Sequence, residues 1–194
     1  LTAYNGNPDK KITLSSFPFD WLEASFFYTS IKDKPYCAFD NDPVCNQDYK
    51  DKGFNFKLRL KEEGLMPAIA VGINDIAGTG LYSSEYVVAS YGINKTDFHF
   101  GLGWGAMDGS NNNVKNPLSY ISEEFINRPS NTEDSGGQFQ PSRYFSGKTA
   151  SPFFGISHVL NDKLIIKVEY DTTLAPGLVG YDEPRQDFSF GFDY

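Results

Sequence analysis

Residues 54–61 alternate strictly: Phe54, Phe56, Leu58 and Leu60 fall on one side of an extended chain, and Asn55, Lys57, Arg59 and Lys61 on the other. A strand divided that sharply needs an apolar medium on one face and water on the other. The same period recurs. Leu22, Ala24, Phe26 and Tyr28 oppose Glu23, Ser25 and Thr29; Ile69, Val71 and Ile73 oppose Ala68, Ala70 and Gly72; Phe98, Phe100, Leu102 and Trp104 oppose His99, Gly101, Gly103 and Gly105. Leu164, Ile166, Val168 and Tyr170 alternate with Ile165, Lys167, Glu169 and Asp171, and the chain finishes on Phe188, Phe190, Phe192 and Tyr194 spaced by Ser189, Gly191 and Asp193. The pattern predicts nine strands, over 11–19, 22–31, 54–61, 67–74, 82–93, 98–105, 151–160, 164–171 and 188–194.

The connections between these strands alternate in length, with tight turns at one end and the long loops 32–53, 106–149 and 172–186 at the other. Sorting of that kind characterises outer-membrane β-barrels, whose periplasmic turns are short and external loops long. The fold class predicted is therefore all-β, an antiparallel transmembrane β-barrel of about nine visible strands, part of a larger or completed barrel, with 1–194 a single barrel domain or a barrel segment. Tyr28, Tyr82, Trp104 and Tyr170 fall where an aromatic girdle belongs, near the long-loop end; Trp21 shares the parity of Glu23 and breaks the pattern. Leu118, Ile121 and Phe125 predict a short packing helix inside the longest loop. Nine strands is an odd count, so either a strand is absent or residues 1–8 contribute to one.

Composition narrows the classes. With 194 residues, 16% aromatics and a slightly negative mean hydropathy, no stretch approaches the roughly 20 apolar residues of a spanning helix. A net charge of −8 leaves no basic stripe for nucleic acid. Cys37 and Cys45 lie in a loop rich in Pro and Asp; a local disulfide there implies an oxidising compartment, the alternative being two free thiols. The chain begins at Leu1 with no basic or apolar leader, so either a signal peptide has been removed or more sequence precedes it.

The polar parity collects Glu23, Lys57, Arg59, Lys61, Glu85, His99, Lys167, Glu169 and Asp171. Of these, Lys57, Arg59, Lys61, Glu85, Lys167 and Glu169 are the candidate ligand-binding residues, suited to sugar hydroxyls or acidic glycan groups. Barrel interiors are also routinely filled by paired charges with no ligand role. The inward small residues Ala68, Ala70, Gly72, Gly101, Gly103 and Gly105 either make room for substrate or ease strand curvature. His99 and His158 show no nucleophile–base–orienter pattern, so no catalytic residue is assigned. No cofactor or metal is predicted: Asp40 and Asp42 lack regular calcium-ligand spacing, and Gly78, Thr79 and Gly80 lack the ending of a phosphate loop.

The run from Met66 through Asn74, Asp75, Gly78, Gly80 and Tyr82 to Ser90 resembles the signature of the YjbH/GfcD family of exopolysaccharide-associated outer-membrane proteins. Segments 21–29, 57–64, 98–105 and 153–156 resemble the same family in the same order. The resemblance implies a non-catalytic barrel of the bacterial outer membrane that assists exopolysaccharide (capsule or biofilm glycan) production or export. It also implies outer-membrane lipid, polysaccharide and periplasmic or lipoprotein partners. Family members are much longer and carry a strand ahead of the region matching Lys11; this sequence departs from them by lacking that strand and the large C-terminal portion. The alternatives are a soluble lipocalin-like binding barrel and an outer-membrane ester hydrolase.

Overall fold

The computed structural model describes residues 1–5, 9–36, 47–109, 113–130, 139–174 and 188–194. Cys37, Cys45, Asp40 and Asp42, and with them the disulfide expectation, lie outside the described residues.

Eleven strands form one antiparallel sheet. They are β1 (Thr2–Asn5), β2 (Asp9–Phe19), β3 (Leu22–Tyr36), β4 (Gln47–Lys61), β5 (Ala68–Ile76), β6 (Ser84–Ile93), β7 (Thr96–Gly105), β8 (Val114–Lys115), β9 (Thr149–Asn161), β10 (Leu164–Tyr170) and β11 (Phe188–Asp193). Ten run as a meander in chain order, and the two-residue β8 pairs separately with β9. Each of the nine predicted segments is a strand. The tenth is β1, paired with β2 from Thr2↔Thr13 to Asn5↔Lys10. It is a strand that the sequence reading did not assign, and it brings the meander to ten strands among the described residues. The sheet is open, since β1 and β11 are its two ends; it is bent far enough for Lys11 of β2 and Glu169 of β10 to line one cavity.

The packing is inverted relative to a water-soluble domain. Among the described residues only Phe27, Ile31, Ala70, Trp104 and Ala150 are buried hydrophobics, against ten buried polar or charged residues, so the interior is polar. The apolar rows lie on the convex face and stay accessible, with Phe56 36%, Phe100 58% and Phe190 73% exposed. Ladder partners confirm the rows: Leu14↔Phe26, Phe26↔Phe54, Leu58↔Val71, Val71↔Val87 and Val87↔Leu102 all join outward side chains. A lipocalin-like barrel would need those rows turned inward.

The predicted helix in the long loop is two 3-10 turns, η1 (Pro117–Tyr120) and η2 (Glu123–Ile126), each begun by a side-chain cap from Asn116 or Ser122. A third, η3, spans Pro141–Arg143. Asn116 is fully buried and its amide donates to the carbonyls of Phe125, Phe145 and Gly147, closing the loop on itself.

Candidate functional site

The concave face encloses a cavity of 580 Å³ lined from β2, β3, β4, β5, β6, β7, β9 and β10. Polar side chains meet across its strands, as in Asn55 to Ser25 (3.1 Å) and Asn74 to Ser84 (3.1 Å). Aromatic rings fill the space above the inward glycines. A Cβ on Gly72 would stand 2.1 Å from the Tyr86 ring and one on Gly101 2.2 Å from the Phe153 ring. Tyr86 and Phe153 then meet edge to face at 6.2 Å. Gly72 and Gly101 therefore seat rings, a role that neither sequence reading of the inward small residues named. Nearer the long loops, the Lys11 ammonium lies over the Phe27 and Tyr82 rings at 4.9 and 5.4 Å.

The sequence-predicted site residues divide. Lys57 and Glu169 line the cavity. Lys57 sits opposite Glu23 in the β3–β4 ladder, and Lys167 pairs with Asp193 at 2.5 Å. Arg59 is committed to Glu62 at 3.0 Å on the exposed short-turn rim. A register shift between Arg59 and Lys61 aligns Lys61 with Ile69 of the outward row, so the three cations do not form one continuous inward stripe. Glu85 is a correction: its ladder partners are Ile73 and Trp104, which places it on the convex side, fully buried. Tyr82 is another, because it points into the cavity and not toward a girdle.

Glu85 is tolerated there because the long loop folds over it. Arg128 grips its carboxylate with both terminal nitrogens, at 2.7 and 2.9 Å, and the Phe145 amide donates a third bond at 2.9 Å. The remaining donor capacity of Arg128 goes to the Arg143 carbonyl at 2.8 Å and to Ser83 at 3.2 Å. Beside this clasp Trp104 packs edge-on to Phe145 and is 2% exposed.

The cavity sets Ser90, which the sequence reading passed over, beside residues that it named. Ser90, His99, Gly155 and Glu169 are successive ladder partners on the inner face. His99 Nδ1 and Ser90 Oγ are 2.8 Å apart, so a Ser–His pair does exist. The two residues face one another across the β6–β7 ladder. Higher up, Asp51 and Asp75 approach one another inside the wall, near the Phe54↔Ile76 pair of the outward row. Burial pushes the Asp75 carboxyl up to about 8, the Asp51 charge adds to the rise, and the Tyr82 and Gly80 amides oppose it. Burial likewise raises Asp51, against the opposing effect of polar groups of Thr79, Lys52 and Tyr82. Among the described residues no cluster of three or more His, Cys, Asp or Glu is present.

The profile of the YjbH family, described as exopolysaccharide biosynthesis protein YbjH, matches residues 1–175. The chain belongs to that family. A relative from Escherichia coli (strain K12), described as an uncharacterized lipoprotein YjbH, is 39% identical over 182 residues, covering 91% of this chain and 25% of the relative. The chain thus spans about a quarter of that relative's length. No solved structure matches. Family membership links the chain to exopolysaccharide biosynthesis, as the resemblance of its central run implied.

Proposed function

We propose that this chain forms part of the wall of an outer-membrane β-barrel that assists the production or export of an exopolysaccharide, without catalysing a reaction itself. The observation that carries the reading is the inverted packing: exposed apolar rows outside, a polar cavity inside. Hydrocarbon would cover the rows, at a gain of roughly 25 cal/mol per Å² removed from water. The antiparallel meander and the sorting of short turns to one end match barrel architecture. The family's link to exopolysaccharide and the relative's description as a lipoprotein support an envelope location. Inside the cavity, Lys57 and Glu169 offer charge-assisted hydrogen bonds to glycan hydroxyls, while Tyr86 and Phe153 offer flat apolar faces. Periplasmic or lipoprotein components of the same envelope machinery are the partners this role requires.

The test joins two measurements. The protein should need detergent to stay monodisperse and should shift its gel mobility on heating; monodispersity in plain buffer without such a shift refutes the membrane reading. Lys57→Ala with Glu169→Gln should reduce exopolysaccharide output while leaving outer-membrane insertion intact. Unchanged output refutes the role of the cavity.

A further inference from the structure

The inner wall at the long-loop end concentrates oxygen atoms that lack partners. Neither carboxylate oxygen of Asp51 completes a hydrogen bond, nor does Oδ1 of Asp75 or the hydroxyl of Thr29. Thr29 and Asp51 are wholly buried and Asp75 is 6% exposed, so water does not satisfy them from outside. Each unpaired buried polar group costs about 1–3 kcal/mol, and a charged one more. Four such atoms in one small region call for a common partner.

The backbone brings them together. Thr29 and Asp51 are direct ladder partners on β3 and β4, both facing inward. Gly53, two residues along the same face from Asp51, has its Cβ position 2.3 Å from Asp75 Oδ1. The Cβ position of Gly78 lies 2.0 Å from the Lys52 carbonyl oxygen and 2.1 Å from Asp75 Oδ1, so those two oxygens are within about 4 Å of each other. Both positions admit only glycine because these oxygens occupy the space.

We propose that Asp51, Asp75 and Thr29, with the Lys52 carbonyl, form a binding site for a hard divalent cation of the calcium class. A proton shared between the two carboxyls would satisfy one oxygen of each and leave the Thr29 hydroxyl and the second Asp51 oxygen stranded. A cation satisfies all of them at once. The donors are all oxygen, with no thiolate or imidazole, which disfavours zinc. An irregular set of carboxylate, hydroxyl and carbonyl oxygens completed by water suits calcium, whereas magnesium demands near-ideal octahedral geometry. Of the neighbouring charges, Arg143 acts on Asp75 as a weaker opposing influence. With two carboxylates the affinity belongs to the weak extracellular range, a Kd of about 0.1–1 mM. The proposal does not rest on the membrane reading.

The experiment uses the whole folded chain, stripped with a chelator at pH 8. Terbium binding is read by luminescence sensitised through the Tyr82 ring, and calcium is then titrated against it and separately by calorimetry. The expected result is saturable calcium binding that displaces terbium and raises the melting temperature. Asp51→Asn should weaken binding at least tenfold and Thr29→Val several-fold. Thr29→Val preserves shape and removes only the hydroxyl, so it reads the site even if Asp51→Asn fails to fold. Absence of saturable binding up to about 10 mM calcium overturns the proposal, and so does wild-type affinity in the Thr29→Val protein.

Discussion

Replacing Arg128 by alanine should open the long loop from the sheet. Arg128 makes the two charged contacts to Glu85, at 2.7 and 2.9 Å, and ties in the Arg143 and Ser83 carbonyls. Its partner has no access to water. Truncating one member of a buried ion pair typically costs about 3–5 kcal/mol, because the other charge is left uncompensated. At 1.36 kcal/mol per decade, that shifts the opening equilibrium by roughly two to four decades. Trp104 reports the change, since it lies against Phe145 within the same closure. In a Trp21→Phe background, Arg128→Ala should red-shift Trp104 emission and expose residues 113–130 to trypsin. Glu85→Gln should cost less, because it keeps a neutral acceptor and the charge it leaves uncompensated, on Arg128, is partly exposed to water. Combining Glu85→Gln with Arg128→Met should recover much of the loss, as a double-mutant cycle would show. If Arg128→Ala leaves emission and proteolysis unchanged, the clasp does not hold the loop.

Gly72→Ala should destabilise the protein by about 1–3 kcal/mol in urea, because its Cβ would collide with the Tyr86 ring; in a Tyr86→Ala background the same change should cost little, and equal costs in both would refute the ring-seating argument. With Asp75 raised to about 8 from an ordinary 3.8, the folded chain holds more protons than the unfolded one between those values. Its contribution to stability is full below about pH 4 and lost as pH rises through 8, so in chelator Asp75→Asn should flatten the fall of the urea midpoint from pH 5 to 9. A wild-type midpoint that rises with pH more steeply than that of the variant would contradict this. The groups facing Asp75 in that titration are Asp51 and Arg143, with Lys11 in the neighbouring row. Ser90→Ala should leave exopolysaccharide output unchanged, since the Ser90–His99 contact is read as structural; abolished output would restore a hydrolytic role. In a Trp104→Phe background, Trp21, half exposed and stacked on Phe19 at 5.2 Å, should be quenched by lipid brominated near the headgroup, and no quenching would deny the bilayer contact.

Strands carrying charges on one face were legible in the sequence, because Lys57 on β4 and Glu169 on β10 leave no doubt about which side is wet. β6 was not. Tyr86 and Val88 alternate with Val87, Ala89 and Tyr91, so its two faces are almost equally apolar and its one acid, Glu85, misdirects the assignment. The ladder partners Ile73 and Trp104 fix the side, and the charge is accommodated by Arg128, 43 residues onward. No local pattern carries that information. Lys61 fails for another reason: one register shift after Arg59 undoes the two-residue period. The helix expected from Leu118, Ile121 and Phe125 is replaced by two 3-10 turns, since Ser122 caps a new turn before the first can continue. β1 is four residues of mixed character, short enough to be silent in periodicity, and only pairing with β2 reveals it.

The rings seated on Gly72 and Gly101 turn part of the cavity wall into an aromatic surface, with Tyr86 and Phe153 set edge to face. A pyranose laid against such a surface presents its C–H face, so retention there follows the shape of the sugar and not its ionisation. Holding of that kind is indifferent to screening, whereas capture by Lys57 weakens as ions crowd the lumen. A glycan moving along this wall would therefore keep its grip in brackish and dilute surroundings alike.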